Sequence, residues 1–425
     1  MDNILIKSLI RQSPVALGLG FAGLFAPALG LFAPKATVLL FAIAACTCLY
    51  VYIKQPDKHP SFPGPFNSSI LALAVYAVAS LLWSVSFDAS WPLARSLPFS
   101  LLGGVLIIHS IRKLDEDGHS FIARATLTGF LLGALLTFFE LLSGFAISHA
   151  IDIVKFGGDW NGDMLGFVIS IGITLLVMMM FPVCLIFWKR GQPALAITAL
   201  LFTMIMAGMS TNFAAIVAII IGCLVFLTAY YLPNQIHKIT IVITTLLILG
   251  MPFAMQVLPD ARTIGKNLPE LSFSVYPRLV IWQYAANRTM ESPILGHGIR
   301  TSRAMDIEQA RISFLYRDNG KVKKGNTKAI PLHPHNGVIQ MWLELGGLGA
   351  LIGLAIILSV LRGIHKSMVS PIHKAFLYAA LFSSMCLMSV SYGLWQNWWI
   401  GALWLQGALM MSSSRLPDSS GLSVR

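Results

Sequence analysis

Twelve stretches of the chain are apolar over roughly the 20 residues that a helix needs to cross a membrane: 14–33, 36–53, 67–86, 95–111, 121–143, 164–187, 193–210, 212–232, 239–257, 337–362, 375–393 and 395–412. Most breaks between them are short and carry turn-forming residues, as in QPDKHPSFPGP and PNQIHK. One break is long and runs from about Leu258 to His335. The pattern predicts an all-α polytopic membrane protein with about twelve transmembrane helices. Residues 1–257 would form a bundle of about nine, 258–336 a large loop built on amphipathic helices, 337–412 three further helices and 413–425 a tail. A composition of 56% hydrophobic and 11% charged residues excludes an ordinary soluble domain. Membrane lipids are the expected surroundings, and nucleic acid is not an expected partner. The basic start, with Lys7 and Arg11, runs into the first apolar stretch without a cleavage-site pattern, so no removable signal peptide is expected.

Charge orients the spans. An even number of crossings places both termini on one side. If that side is the cytoplasm, fifteen Lys and Arg face it, among them Lys54, Lys58, Arg112, Lys189, Lys238 and Arg415. Only Lys35, Arg95 and Lys155 lie in the short connections opposite. Basic residues concentrate on the cytoplasmic side of membrane proteins, so the termini are expected there and the long loop outside. The remaining twelve of the 30 Lys and Arg all fall in that loop and, with its six acidic residues, leave a net +6. Long translocated segments escape the charge rule, and a focused positive field attracts anions.

Within the loop, YPRLVIWQYAANRTMESP (Tyr276–Pro293) reads as an amphipathic helix with Leu279, Trp282 and Ala286 on one face, opened by Pro277 and stopped by Pro293. GHGIRTSRAMDIEQARISFLY comes next, and at ~100° per residue Arg300, Arg303 and Arg311 share one helical stripe. RDNGKVKKGNTK reads as turn-rich and mobile.

Polar residues then gather where the chain re-enters the apolar region, in PLHPHNGVIQMWLELGG (Pro331–Gly347). In an extended segment residues two apart point the same way, so His333 and His335 could face one site, and Pro334 favours that form in the residue before it. Asn336 suits either a helix N-cap or a substrate contact. Asn336, Gln340 and Glu344 recur every four residues as a polar stripe, and a carboxylate on a spanning helix calls for a partner, here an arginine or histidine of the loop. His333 and His335 with His297 would make an incomplete zinc set, so no metal and no cofactor are expected. Asp115 and Asp117 form a D-x-D pattern on the opposite side and read as solvated loop charges. The five cysteines fall inside apolar stretches, without metal-site or disulfide spacing, and read as small buried hydrophobes. The outer side is left with imidazoles and many arginines. Arginine donates two parallel hydrogen bonds to phosphate, and histidine takes a proton near neutrality. Together they fit displacement of a diphosphate by a hydroxyl, with a base accepting the hydroxyl proton and arginines stabilising the departing charge. The membrane setting points to a lipid carrier for that diphosphate.

At these residues the chain resembles the O-antigen ligase/polymerase superfamily of the bacterial envelope. HPHNGVIQMWLELGGLGALIG is similar to the family's His-Asn, Gln, Glu, Gly run entering a helix. YPRLVIWQYAANRTMESPILGHGI is similar to its Arg-x-x-x-Trp segment ending in Pro-x-x-Gly-x-Gly, and LLWSVSFDASWPLARSL to its early Trp-Ser motif with a downstream arginine. The resemblance implies a metal-independent, inverting glycosyltransferase of the GT-C class in the bacterial inner membrane, with a periplasmic active site. The donor would be a glycan on undecaprenyl diphosphate. The acceptor would be lipid A–core for a ligase, or a second undecaprenyl-linked repeat unit for a polymerase. His335 would be the general base and Arg278 the leading diphosphate ligand, with Arg288 and Arg300 next and Arg303 and His333 in the same site. Gln340 and Glu344 would orient His335 or line the lipid entry. One position departs: where many members carry Ser-Arg at the start of the eighth helix, MSTNFAA has Asn212, which leaves Arg95 as a candidate replacement. The net +6 loop favours a phosphorylated acceptor and hence a ligase. A transporter would also suit twelve helices and a buried Glu344. It would call for an inverted repeat and polar residues at the midplane, and here they gather at one surface.

Overall fold

Each of the twelve apolar stretches is a helix in the computed structural model, which describes residues 12–54, 64–156, 158, 162–210, 212–258, 275–305, 311–318 and 321–418. The helices that answer to them are α1 (Pro14–Phe32), α2 (Thr37–Lys54), α3 (Pro65–Ala79), α4 (Phe87–Ile111), α5 (Glu116–Ser143), α7 (Gly162–Lys189), α8 (Pro193–Met209), α9 (Phe213–Tyr231), α10 (Ile236–Gln256), α12 (Gly337–Lys366), α13 (Pro371–Val390) and α14 (Asn397–Ser414). Two more, α6 (Ala146–Phe156) and α11 (Val275–Thr289), lie between spans. Among the described residues, ten helices are long and apolar enough to cross a membrane, and α8 is a shorter apolar helix of 17 residues. The chain is an all-α multi-pass membrane protein. Of the residues that enter the charge count, Lys7, Arg11, Lys58, Arg262, Lys266, Arg425, Asp260, Glu270, Asp306 and Glu308 lie outside the described residues.

Helix ends obey local capping chemistry. Asp115, expected as a solvated loop charge, is the N-cap of α5: its side chain accepts from Gly118 N at 2.9 Å, with Glu116 and Asp117 in the first turn. The span expected at 95–111 begins eight residues earlier, because Ser86 caps α4 and Asp88 lies in its first turn. The stretch expected at 67–86 stops at Ala79 and passes through a 3₁₀ turn, Ser80–Leu82, so the Trp-Ser motif is a turn between spans. Glu140, buried near the end of α5, accepts from Ile147 N at 2.8 Å and Ser148 N at 3.0 Å and so starts α6.

The core centres on α7, whose span Ile169–Lys189 is almost wholly buried against α1, α5, α8, α13 and α14. A second hub is α12, which packs on α3, α10, α11 and α13. It is broken at Gly346, where φ is 62° and ψ −166°. Only a residue without a Cβ fits there: an added Cβ would lie 2.3 Å from Ile294 O and 2.6 Å from Gly296 N.

The loop departs from the helical reading after Thr289. Arg300, Arg303 and Arg311 share no helix. Thr301–Arg303 is a single 3₁₀ turn, and Arg311 opens a β-hairpin of β1 (Arg311–Asp318) and β2 (Lys321–Lys328), paired from Arg311↔Lys328 to Asp318↔Lys321. The physical reason is a period of two: Ile312, Phe314 and Tyr316 alternate along β1 and pack on Tyr276, Leu279 and Val280 of α11. Asn319-Gly320, between the paired Asp318 and Lys321, is a strong hairpin dipeptide, so the stretch expected to be turn-rich and mobile is largely strand.

The break makes a direct prediction. Gly346→Ala should cost about 2–4 kcal/mol, from a positive φ and an overpacked contact. Gly363→Ala in the same helix, with open space around it, should be neutral or slightly stabilising. Thermal unfolding of the two variants in detergent checks the contrast, and equal melting temperatures would contradict it.

Candidate functional site

Three motifs distant in sequence meet at the break in α12. A helix interrupted at Gly346 leaves carbonyls free below the break and N–H groups free above it. The segment Pro293–Gly298 supplies both kinds of partner. His297 N donates to Leu343 O at 3.1 Å and Gly298 N to Glu344 O at 2.9 Å, while Gly347 N donates to Pro293 O at 2.8 Å and Leu348 N to Ile294 O at 3.2 Å. Backbones approach this closely because Gly296, at φ 71°, faces Gly346: a Cβ on Gly296 would lie 2.4 Å from Glu344 O. The turn after α3 then locks the segment from the other side. Trp83 Nε1 donates to Leu295 O at 3.2 Å, Val85 N to His297 O at 3.0 Å, and Ile299 N to Ser80 Oγ at 3.1 Å.

Glu344 anchors the arginine-bearing turn beyond Gly298. Its carboxylate is buried and accepts four hydrogen bonds, from Arg300 N at 2.5 Å, Trp395 Nε1 at 2.6 Å, Gln340 Nε2 at 3.0 Å and the Ser302 hydroxyl. The loop is therefore its partner, as expected for a carboxylate on a spanning helix, but through a backbone N–H and a hydroxyl in place of a guanidinium. Gln340 Oε1 accepts from Leu394 N at 2.8 Å. Neither Gln340 nor Glu344 hydrogen-bonds His335; they fix the arginine loop and the connection between α13 and α14.

His335 is presented on that connection. Its Nδ1 lies 2.9 Å from Ser391 O. A carbonyl only accepts, so Nδ1 carries the proton and Nε2 keeps a lone pair. The backbone of His335 is left-handed, φ 56°, so the segment is not uniformly extended as the sequence suggested, although the His333 and His335 rings do meet at 4.3 Å. A non-glycine residue there costs about 1–3 kcal/mol and needs outside support. It has three sources: the Ser391 bond, the bond from Trp282 Nε1 to Pro334 O at 3.0 Å, and the bond from His335 N to His333 Nδ1 at 3.1 Å. His333 is buried, its Nε2 faces the Gln396 amide at 3.2 Å, and it acts here as a backbone prop. Asn336 caps α12, its Oδ1 accepting from Val338 N and Ile339 N at 3.0 Å each, and its buried Nδ2 has no partner among the described residues.

The arginines divide. Arg278, half-buried on α11, lies close enough to His335 and Tyr392 for its charge to act on both. Arg300 donates to Ala89 O at 3.4 Å across the start of α4, and Arg303 is exposed beside it on the 3₁₀ turn. Arg288 is engaged with Glu291 at 2.8 Å. Arg95 is exposed on α4, two turns beyond Ala89. Asn212, where the resemblance leads one to expect an arginine, caps α9 and donates to Ser170 Oγ at 2.9 Å, in a cluster with Thr174 and Tyr392. His297, the conceivable third zinc ligand, lies with Nδ1 3.0 Å from Leu343 O, and among the described residues no three His, Cys, Asp or Glu group together as a metal set. Ser391, Trp395, Gln396 and Ser302 were not singled out from sequence. The dense polar and aromatic run SYGLWQNWW between the last two spans was the available signal.

Burial is the largest influence lowering both imidazoles, and neighbouring charge adds to it: His333 falls to about 3 with His335 and Arg303 contributing, and His335 falls below 6.5 with Arg278 contributing against the Ser391 hydrogen bond. A lowered value keeps the neutral, proton-accepting form through pH 6.5 and below.

The model of the O-antigen ligase family matches residues 195–354, which include the hairpin, His335 and the α12 break. A Rickettsia typhi protein provisionally named polysaccharide ligase is 28% identical over 243 residues, 56% of this chain and 57% of that one, so the chain spans little more than half of that relative. Similarly named proteins of Rickettsia felis and Rickettsia bellii are 26% identical over 343 residues, covering 80% of this chain and 74% of theirs, and 28% identical over 296 residues, covering 67% and 65%.

A rate that depends on neutral His335 should stay flat through pH 6.5 and fall only below it. The pH dependence of kcat/KM is the check, and an acidic limb at or above 6.5 would contradict the geometry.

Proposed function

We propose that the chain is a member of the O-antigen ligase-like superfamily and that it moves a glycan from undecaprenyl diphosphate onto a lipid A–core acceptor. In this reading the protein sits in the bacterial inner membrane with its termini in the cytoplasm, and the His335 site opens to the periplasm. The observation that carries the reading is the one-sided hydrogen bond of His335: Nδ1–H donates to Ser391 O, which leaves Nε2 as a base, with Arg278 beside it.

The chemistry is a single displacement. An acceptor hydroxyl approaches His335 Nε2. As its oxygen bonds to the anomeric carbon, the proton passes to Nε2 and the bond from that carbon to the diphosphate oxygen breaks. Attack opposite the leaving group inverts the anomeric configuration. Negative charge grows on the departing diphosphate, where Arg278 is the first ligand and Arg300 and Arg303, held in place by Glu344, extend the positive field. Fixed guanidinium groups supply the charge stabilisation, so the reaction is read as metal-independent. The Asn336 Nδ2 donor is available to a substrate oxygen. Arg288 braces its helix end through Glu291 and comes second to Arg278, and exposed Arg95 is placed for a lipid headgroup.

In a strain that makes O-antigen, deleting the gene should leave lipid-linked polymer and unmodified core. Core carrying a single repeat unit would instead identify a polymerase and overturn the ligase assignment. With purified protein, His335→Ala should lower kcat by roughly 10²–10⁴-fold, the usual worth of a general base. Arg278→Lys should cost about 10–100-fold, because lysine keeps the charge but loses the bidentate fork. Wild-type turnover in either variant would remove the assigned role, and transfer abolished by a chelator and restored by a divalent ion would defeat the metal-free chemistry.

A further inference from the structure

We propose that the outward face of the β1–β2 hairpin is the docking surface for the multiply phosphorylated saccharide head of the acceptor. This rests on the transfer reading above and names the part of the protein that recognises one of its two substrates.

In an antiparallel pair, directly opposed residues share a face. One face of the hairpin, with Ile312, Phe314 and Tyr316, is spent on Tyr276 of α11. The register puts Arg311 opposite Lys328, Ser313 opposite Asn326 and Leu315 opposite Lys324 on the other face. Arg311, Lys324 and Lys328 are exposed, and no acidic residue stands on that face among the described residues. The exposed Arg311 and Lys324 give that face its charge complementarity to phosphate: arginine offers a planar fork and lysine a point charge, both suited to it.

Spacing separates the acceptor from the donor. Four residues along a strand at ~3.3 Å each put Lys324 about 13 Å from the Arg311–Lys328 rung. Cations that far apart suit phosphates on separate sugars better than the two adjacent phosphates of one diphosphate. Coupling to the base points the same way. After Lys328 the chain goes straight to His335 through Ala329 and Ile330, both buried, with Ile330 packed against Ala285, Ile339 and Leu343. A head seated on the hairpin is thus held by a stiff link to the residue that receives the acceptor proton, while the diphosphate-binding arginines lie on α11 and the loop tied to Glu344.

The test uses full-length protein in nanodiscs of zwitterionic lipid, with no donor present. The probes are a phosphorylated lipid A–core glycolipid and the same glycolipid stripped of its core phosphates. The double variant Arg311→Gln/Lys324→Gln should bind the phosphorylated probe about tenfold more weakly than wild type, the loss of two solvent-screened charge contacts. It should bind the stripped probe as wild type does. Arg311→Lys/Lys324→Arg, which keeps the charges, should hold wild-type binding within a few-fold. Equal binding of the phosphorylated probe by wild type and the neutral variant overturns the proposal, as does an equal loss with both probes. A deficit that appears only in nanodiscs containing phosphatidylglycerol marks a membrane contact and also overturns it. Because binding is read without turnover, failure of the transfer reading shows separately, as intact binding with no glycan moved.

Discussion

A helix broken inside a bilayer must find partners for its backbone within the protein, since hydrocarbon offers none and each unmet group costs several kcal/mol. The break at Gly346 meets that demand with Pro293–Gly298, which fills the carbonyls below and the N–H groups above, while the Tyr76 hydroxyl covers Leu295 O and Leu345 O at 3.2 and 3.1 Å. Everything distinctive about the site hangs on this pairing. It brings the Trp-Ser turn, the Pro-x-x-Gly-x-Gly segment and the His-Asn helix, far apart in sequence, into one hydrogen-bonded unit.

The pairing also explains why His335 and the arginines are so firmly placed. Glu344 joins it through its own carbonyl, which accepts from Gly298 N, and the four donors to its carboxylate tie Arg300, Ser302, Gln340 and Trp395 together. Gln340 passes that order to Leu394, in the connection whose Ser391 carbonyl sets the tautomer of His335. The polar stripe on α12 is thus a scaffold, and the proposed base stands at its N-terminal end. A left-handed His335 is tolerable because three separate bonds hold its segment.

Much of this was legible in the sequence, for physical reasons. Hydrophobic runs long enough to span a membrane are the strongest local signal a chain carries, so all twelve helices were visible and only their ends moved, as at α4, where Ser86 caps a helix earlier than hydrophobicity begins. The clustering of His335 and Glu344 near one end was visible because polar residues on apolar helices stand out. What hid was non-local. Nothing in GHGIRTSRAMD announces backbone pairing to a helix break some 50 residues later, and the role of Glu344 depends on that pairing. The hairpin was hidden because a three-arginine helical stripe competes with the period-two run Ile312, Phe314, Tyr316. Ser391 and Gln396 act on the histidines through a carbonyl and an amide, which leave no mark in spacing.

The central claim is that a phosphorylated lipid meets His335 and Arg278 at one place. A structure of the protein bound to an undecaprenyl diphosphate-linked glycan tests it most directly. The diphosphate should contact the Arg278 guanidinium, with the anomeric carbon on the side of His335 where Nε2 is open. A diphosphate seated at the other end of the bundle, or held by residues that touch neither Arg278 nor the His335 loop, would contradict it.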